Sequence, residues 1–169
     1  SSGPSTLAVD MTGDRQLLAD AIKKTTGNAL RYEDIQPPSS ADEVKYRASI
    51  AAATAAEILS LAPRIPGPKA MLYISNGYGV LPPDILEKLS ALSATATKSS
   101  VRIFAIDPRA ATKELEPVLD AGWLAHLAAR QASLRSLADA TGGFAIVDGS
   151  FAAQLRRINA AVGAPPPQQ

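Results

Sequence analysis

Few groups in this chain stand at spacings that could do chemistry. Asp10-Met11-Thr12-Gly13-Asp14 sets two carboxylates and a hydroxyl at alternate positions after the apolar Leu7-Ala8-Val9. Oxygen donors of this kind suit Mg²⁺ or Mn²⁺, which are held through a few carboxylates and retained water. On that reading Asp10, Thr12 and Asp14 are ligands of a weakly held ion. A plainer reading uses the same residues to begin a helix, with Thr12 or Asp14 as N-cap and negative charge at its positive end. The second reading explains Asp14 without a metal, so no cofactor is expected.

Other reactive groups are isolated. His126 is the only histidine, and a general base needs a nucleophile and an orienting carboxylate that the surrounding spacing does not offer. It reads as structural, and Trp123 beside it reads as a packing residue ahead of a partner anchor. Gly77-Tyr78-Gly79 lacks the G-x-G-x-x-G spacing of a nucleotide loop. Arg156-Arg157 complements the end of a helix more readily than it binds phosphate. With 0 cysteines there is no disulfide, thiolate metal site or thiol nucleophile.

These groups must be positioned by a chain of 169 residues, about one domain's worth. Hydrophobic residues make up 46% and charged residues 20%, ordinary globular usage that argues against disorder. No apolar run approaches the roughly 18 residues needed to cross a bilayer. A net charge of +1 gives no electrostatic reason to expect nucleic acid as partner. Ser1-Ser2-Gly3-Pro4-Ser5 has no Met, basic or apolar region, so residues 1–6 read as an expression or processing boundary. Residues 163–169 read as a flexible Pro/Gln tail, leaving one domain over residues 7–162.

Within that domain strand-like and helix-like periods alternate. Leu7-Ala8-Val9 is a short strand candidate, followed by a helix to about Thr25 with Leu18, Ala21 and Ile22 on one face. Ser40-Ala41-Asp42-Glu43 has capping-box spacing, and Val44, Ala48, Ala51, Ala55, Ile58 and Ala62 then recur at steps of three and four. The run from Lys69 to Ser75 is apolar almost throughout, which predicts a central strand covered on both faces. Pro82-Pro83-Asp84 opens a helix carrying Ile85, Leu89, Leu92 and Ala96, and Val101 to Ile106 forms the next strand, stopped by Asp107-Pro108. A helix with Leu134, Leu137 and Ala138 ends at Gly142-Gly143; Phe144 to Val147 and a helix with Phe151, Leu155, Ile158 and Val162 complete the chain. The alternation predicts an α/β fold of three layers, αβα, with a mostly parallel sheet of Rossmann-like type. In such sheets ligands meet the loops at the carboxyl ends of the strands. Those loops place Thr12, Asp14, Ser75, Asn76, Gly77, Tyr78, Val80, Leu81 and Asp107 as candidate binding residues.

Four segments in order also resemble the von Willebrand factor A-like domains, in particular their bacterial, acidobacterial relatives. They are Met11-Thr12-Gly13-Asp14-Arg15-Gln16-Leu17-Leu18, Gly67 to Tyr78 (Gly-Pro-Lys-Ala-Met-Leu-Tyr-Ile-Ser-Asn-Gly-Tyr), Val101 to Arg109 (Val-Arg-Ile-Phe-Ala-Ile-Asp-Pro-Arg) and Leu134 to Phe144 (Leu-Arg-Ser-Leu-Ala-Asp-Ala-Thr-Gly-Gly-Phe). The resemblance implies an exported, extracytoplasmic domain that binds a protein partner or works in adhesion, without enzymatic activity. A doubly wound hydrolase is the second reading, disfavoured by the absence of a nucleophile elbow or phosphate loop; a purely structural domain of a larger exported protein is the third.

The family places a divalent cation at the carboxyl end of its sheet, and Asn76 stands where it has an aspartate, which removes a negative charge from that site. Its Asp-x-Ser-x-Ser segment falls before residue 1 in this register, so the metal site is expected to be degenerate. A rival register would make Asp10, Thr12 and Asp14 that segment, but Asn28 to Gln36 is too short to hold the two strands that must follow. In the favoured register the family's first two strands are missing, so the strand at Lys69 lacks a neighbour and self-association through it is expected.

Overall fold

The computed structural model describes residues 12–24, 41–79, 81–108, 121–148 and 151–163. The expected strand at Leu7-Ala8-Val9, the cap at Ser40, Asp10 and Val80 lie outside these residues. The chain divides into two compact units, Ser1–Thr54 and Ala55–Gln169.

The first unit contains helix α1 (Arg15–Lys24) and the beginning of helix α2 (Ala41–Leu61). Asp14 caps α1 as the sequence predicts: its Oδ1 accepts from the backbone N–H groups of Gln16 at 2.9 Å and Leu17 at 3.1 Å. Thr12 Oγ1 in turn accepts from the N–H of Asp14 at 3.0 Å. Two of the orphan donors of the first turn are thereby satisfied.

The second unit runs from the end of α2 through β1 (Lys69–Ile74), α3 (Pro83–Lys98), β2 (Val101–Ile106), α4 (Ala121–Asp139), β3 (Ala145–Ile146) and α5 (Phe151–Gly163). The three strands form a parallel sheet in the order β1-β2-β3, with Lys69 opposite Val101 and Ile74 opposite Ile106. β2 is buried at every residue. Its alternate side chains serve opposite faces, as strand pleating requires. Val101 and Ile103 pack with Ala55, Leu59, Ala62, Leu92, Ala96 and Leu137, while Ala105 packs with Leu134 and Ala138. Phe104 and Ile106 turn the other way, onto Ile146 and Ile158. Phe144 meets Phe104 edge to face at 5.0 Å, and the Arg157 guanidinium lies 3.9 Å above the Phe144 ring. Arg157 therefore covers an aromatic ring, a role its helix-end position did not suggest.

Two expectations are corrected. Among the described residues the Lys69 strand is not central: β2 takes the middle, and β1 lies at the edge with alternating burial, leaving Leu72 50% and Ile74 64% exposed. The buried stripe of α2 is Ala48, Ala52, Ala55 and Leu59, continued by Ala62 in the 3-10 turn that follows, with Ile58 on the exposed side. Packing selects the neighbouring Leu59 because a stripe made mostly of alanine fixes the helical phase weakly.

The third strand is short, and a side chain extends its ladder. The N–H groups of Ala105 and Asp107 donate to the carbonyls of Phe144 and Ile146 at 3.2 and 2.8 Å. Ile103, one step earlier, donates instead to Thr141 Oγ1 at 2.8 Å. That hydroxyl donates onward to the Ala138 carbonyl at 2.9 Å, so the turn after α4 substitutes for missing strand. No helix among the described residues is long and apolar enough to cross a membrane.

Candidate functional site

The carboxyl ends of β1 and β2 carry the candidate residues Ser75 to Tyr78 and Asp107. Ser75 continues the ladder, its N–H donating to the Ile106 carbonyl at 3.0 Å. The chain then turns at Gly77, whose φ of +73° lies in the left-handed region that favours glycine. Gly77 N–H donates to Ser75 Oγ at 3.1 Å, closing the turn locally.

Helix α4 holds this loop through one polar stripe, His126, Arg130 and Ser133, spaced by four and three residues so that they share a face. Tyr78 N–H donates to Ser133 Oγ at 2.8 Å, and Ser133 Oγ donates to the Arg130 carbonyl at 2.6 Å. Arg130 Nη1 donates to the Gly77 carbonyl at 3.2 Å, and its Nε donates to His126 Nε2 at 2.9 Å. The planar guanidinium thus joins the loop backbone and the imidazole at fixed geometry. A Cβ on Gly77 would collide with the Arg130 carbonyl, so this close approach also demands glycine.

Beneath the loop the phenol oxygens of Tyr73 and Tyr78 are hydrogen-bonded to each other. Burial raises the pKa of both hydroxyls above that of free tyrosine. Tyr78 therefore points inward. Leu81 is buried and Asp107 fully so, its N–H spent on the Ile146 carbonyl. Ser75 and Asn76 are half-buried, and Thr12 and Asp14 form the cap of α1 in the other unit. A large apolar side chain open to solvent at the strand end is Ile74, which was not among the candidates; its membership of an apolar strand run concealed it.

Chemically, the arrangement locks a loop. The Ser133 hydroxyl both donates and accepts within the protein, and His126 Nε2 receives the Arg130 proton donor, so neither is arranged as a nucleophile with its base. Among the described residues no group of three or more His, Cys, Asp or Glu gathers at metal-binding distances. His126 reads from the sequence as structural, while Arg130 and Ser133 were missed, although the helical face they share with His126 was a readable signal. No protein-family profile, curated protein or solved structure matches this chain.

Proposed function

We propose that the chain is a protein-binding domain of the von Willebrand factor A type, with that family's three-layer sheet architecture, acting outside the cytoplasm without enzymatic activity. Its recognition surface is the carboxyl end of β1. The observation that carries this reading is the pairing of a large exposed apolar side chain, Ile74 at 64% exposure, with an adjoining loop fixed to α4. Apolar residues beside a rigid polar rim are the anatomy of a protein interface, and a loop ordered in advance loses less entropy on binding. Asn76 in place of a carboxylate supports recognition without a bridging cation. In this reading the inward Tyr78 shapes the loop from below and Ile74 is the anchor.

The test is a photoreactive side chain placed at Ile74, with a second chain labelled at Leu61, which is 45% exposed at the end of α2, before the amino end of β1. Incubated with an envelope extract of the source organism, the Ile74 probe is expected to yield one discrete protein adduct and the Leu61 probe none. Equal labelling from both positions, or none from Ile74, contradicts the reading.

A further inference from the structure

Odd-numbered residues of β1 face β2: Lys69 N–H donates to the Ser100 carbonyl at 2.9 Å and Ser75 N–H to Ile106 at 3.0 Å. In a parallel ladder the residues between them, Ala70, Leu72 and Ile74, turn their own N–H and C=O groups to the opposite edge. Among the described residues no strand lies on that side. The side chains of the same three residues are exposed, because α5 covers Phe104, Ile106 and Ile146 but not this part of the sheet.

Natural sheets blunt such an edge with charge, proline or a bulge. This one has none between Ala70 and Ile74, and Lys69 folds its ammonium back onto the Ile65 and Gly67 carbonyls at 2.9 and 2.8 Å. Among the described residues this edge offers backbone donors and acceptors beside uncharged apolar side chains, a combination that suits another extended, uncharged strand.

We propose that the occupant is a second copy of this chain, its β1 pairing antiparallel with the first about a twofold axis at Leu72. The segment is complementary to itself in that register. Leu72 faces Leu72 as a hydrogen-bonded pair, Ala70 faces Ile74, and every outward N–H and C=O of the three residues finds a partner. Lys69 falls opposite Ser75, so no like charges meet across the seam. Closed twofold symmetry stops the association at two copies and leaves no open β1 edge. The pairing uses the backbone of Ile74 in the plane of the sheet, whereas its side chain stands out of that plane and remains open to the partner of the proposed function.

The chain has no cysteine, so single cysteines report the register directly. Opposed residues in a hydrogen-bonded pair have Cα atoms about 5.5 Å apart, within disulfide reach. Two Ala70 residues would lie about 13 Å apart along the seam. Under mild oxidation L72C is expected to form a covalent dimer; A70C and I74C are expected to do so only when mixed. Sedimentation of the unmodified chain should show a reversible dimer with Kd in about the micromolar range. Leu72→Lys and Leu72→Glu should each be monomeric and folded, and their mixture should dimerise again. A wild-type chain monomeric to several hundred micromolar, about a hundredfold above that Kd, overturns the proposal. So does A70C cross-linking alone as fast as L72C. A monomer whose Ile74 probe still labels a different protein sinks the dimer and leaves the proposed function standing, whereas a dimer whose Ile74 probe labels only the second copy does the reverse.

Discussion

Gly77 and Arg130 meet through side chain and backbone at once: the Gly77 carbonyl accepts from Arg130 Nη1 at 3.2 Å, while the space a Cβ would need is filled by the Arg130 carbonyl. The contact fixes how close α4 can stand to the end of β1. Gly77→Ala adds both a clash and a strained φ, and should cost about 2 kcal/mol or more of stability. Gly79, with open space around its Cβ position, serves as the comparison: Gly79→Ala should stay within about 0.5 kcal/mol. Urea unfolding of both variants checks the difference.

The Tyr73–Tyr78 pair makes a prediction about partner removal. Tyr78→Phe leaves one buried hydroxyl without its companion and should cost about 1 to 3 kcal/mol, with the double variant Tyr73→Phe/Tyr78→Phe recovering part of the loss. Alkaline pH gives the second signature. Burial raises both folded pKa values above the unfolded value near 10.0. The stabilisation from keeping the phenols neutral is therefore complete below pH 10 and declines as pH rises further, because the unfolded state loses its protons first. Ultraviolet titration of the native chain should show these two phenolates appearing later than free tyrosine.

Thr141 stands in for a strand residue by accepting from the buried N–H of Ile103 at 2.8 Å. Thr141→Val keeps the shape and removes the acceptor, so an unfolding loss of about 1 to 3 kcal/mol is expected; Thr141→Ser should retain most of the stability. Equal stability in Val and Ser variants would show that the hydroxyl does not support the ladder.

The sequence shows why some of this was readable and some was not. The cap at Asp14, the helix face of Ile85, Leu92 and Ala96, and the strand Val101 to Ile106 follow from local spacing, and the structure has them where expected. Which strand lies in the middle depends on pairing between distant residues, and two apolar runs of equal length, at Lys69 and at Val101, look alike in that respect. Tyr78 illustrates the same limit at the candidate site. A strand-end tyrosine reads as an exposed anchor until the position of Tyr73, five residues earlier, turns its hydroxyl inward.

Ser100 is a non-glycine residue with positive φ, +54°, in the turn between α3 and β2. An L-residue in that region carries about 1 kcal/mol of strain that glycine lacks, partly offset by the greater freedom of glycine when unfolded. Ser100→Gly should therefore raise the midpoint of thermal unfolding slightly, by a stability gain of less than about 1 kcal/mol. Calorimetry of the variant checks the sign.

In the proposed function the carboxyl end of β1 is a protein-binding surface anchored by Ile74. The test is the affinity of the partner recovered by cross-linking for two variants, Ile74→Asp and Leu61→Asp, both at positions open to solvent and so expected to fold. A charge placed in the anchor position should weaken binding at least about tenfold, equivalent to 1.4 kcal/mol, while Leu61→Asp leaves it unchanged. Equal affinity in Ile74→Asp and the unmodified chain would contradict the claim.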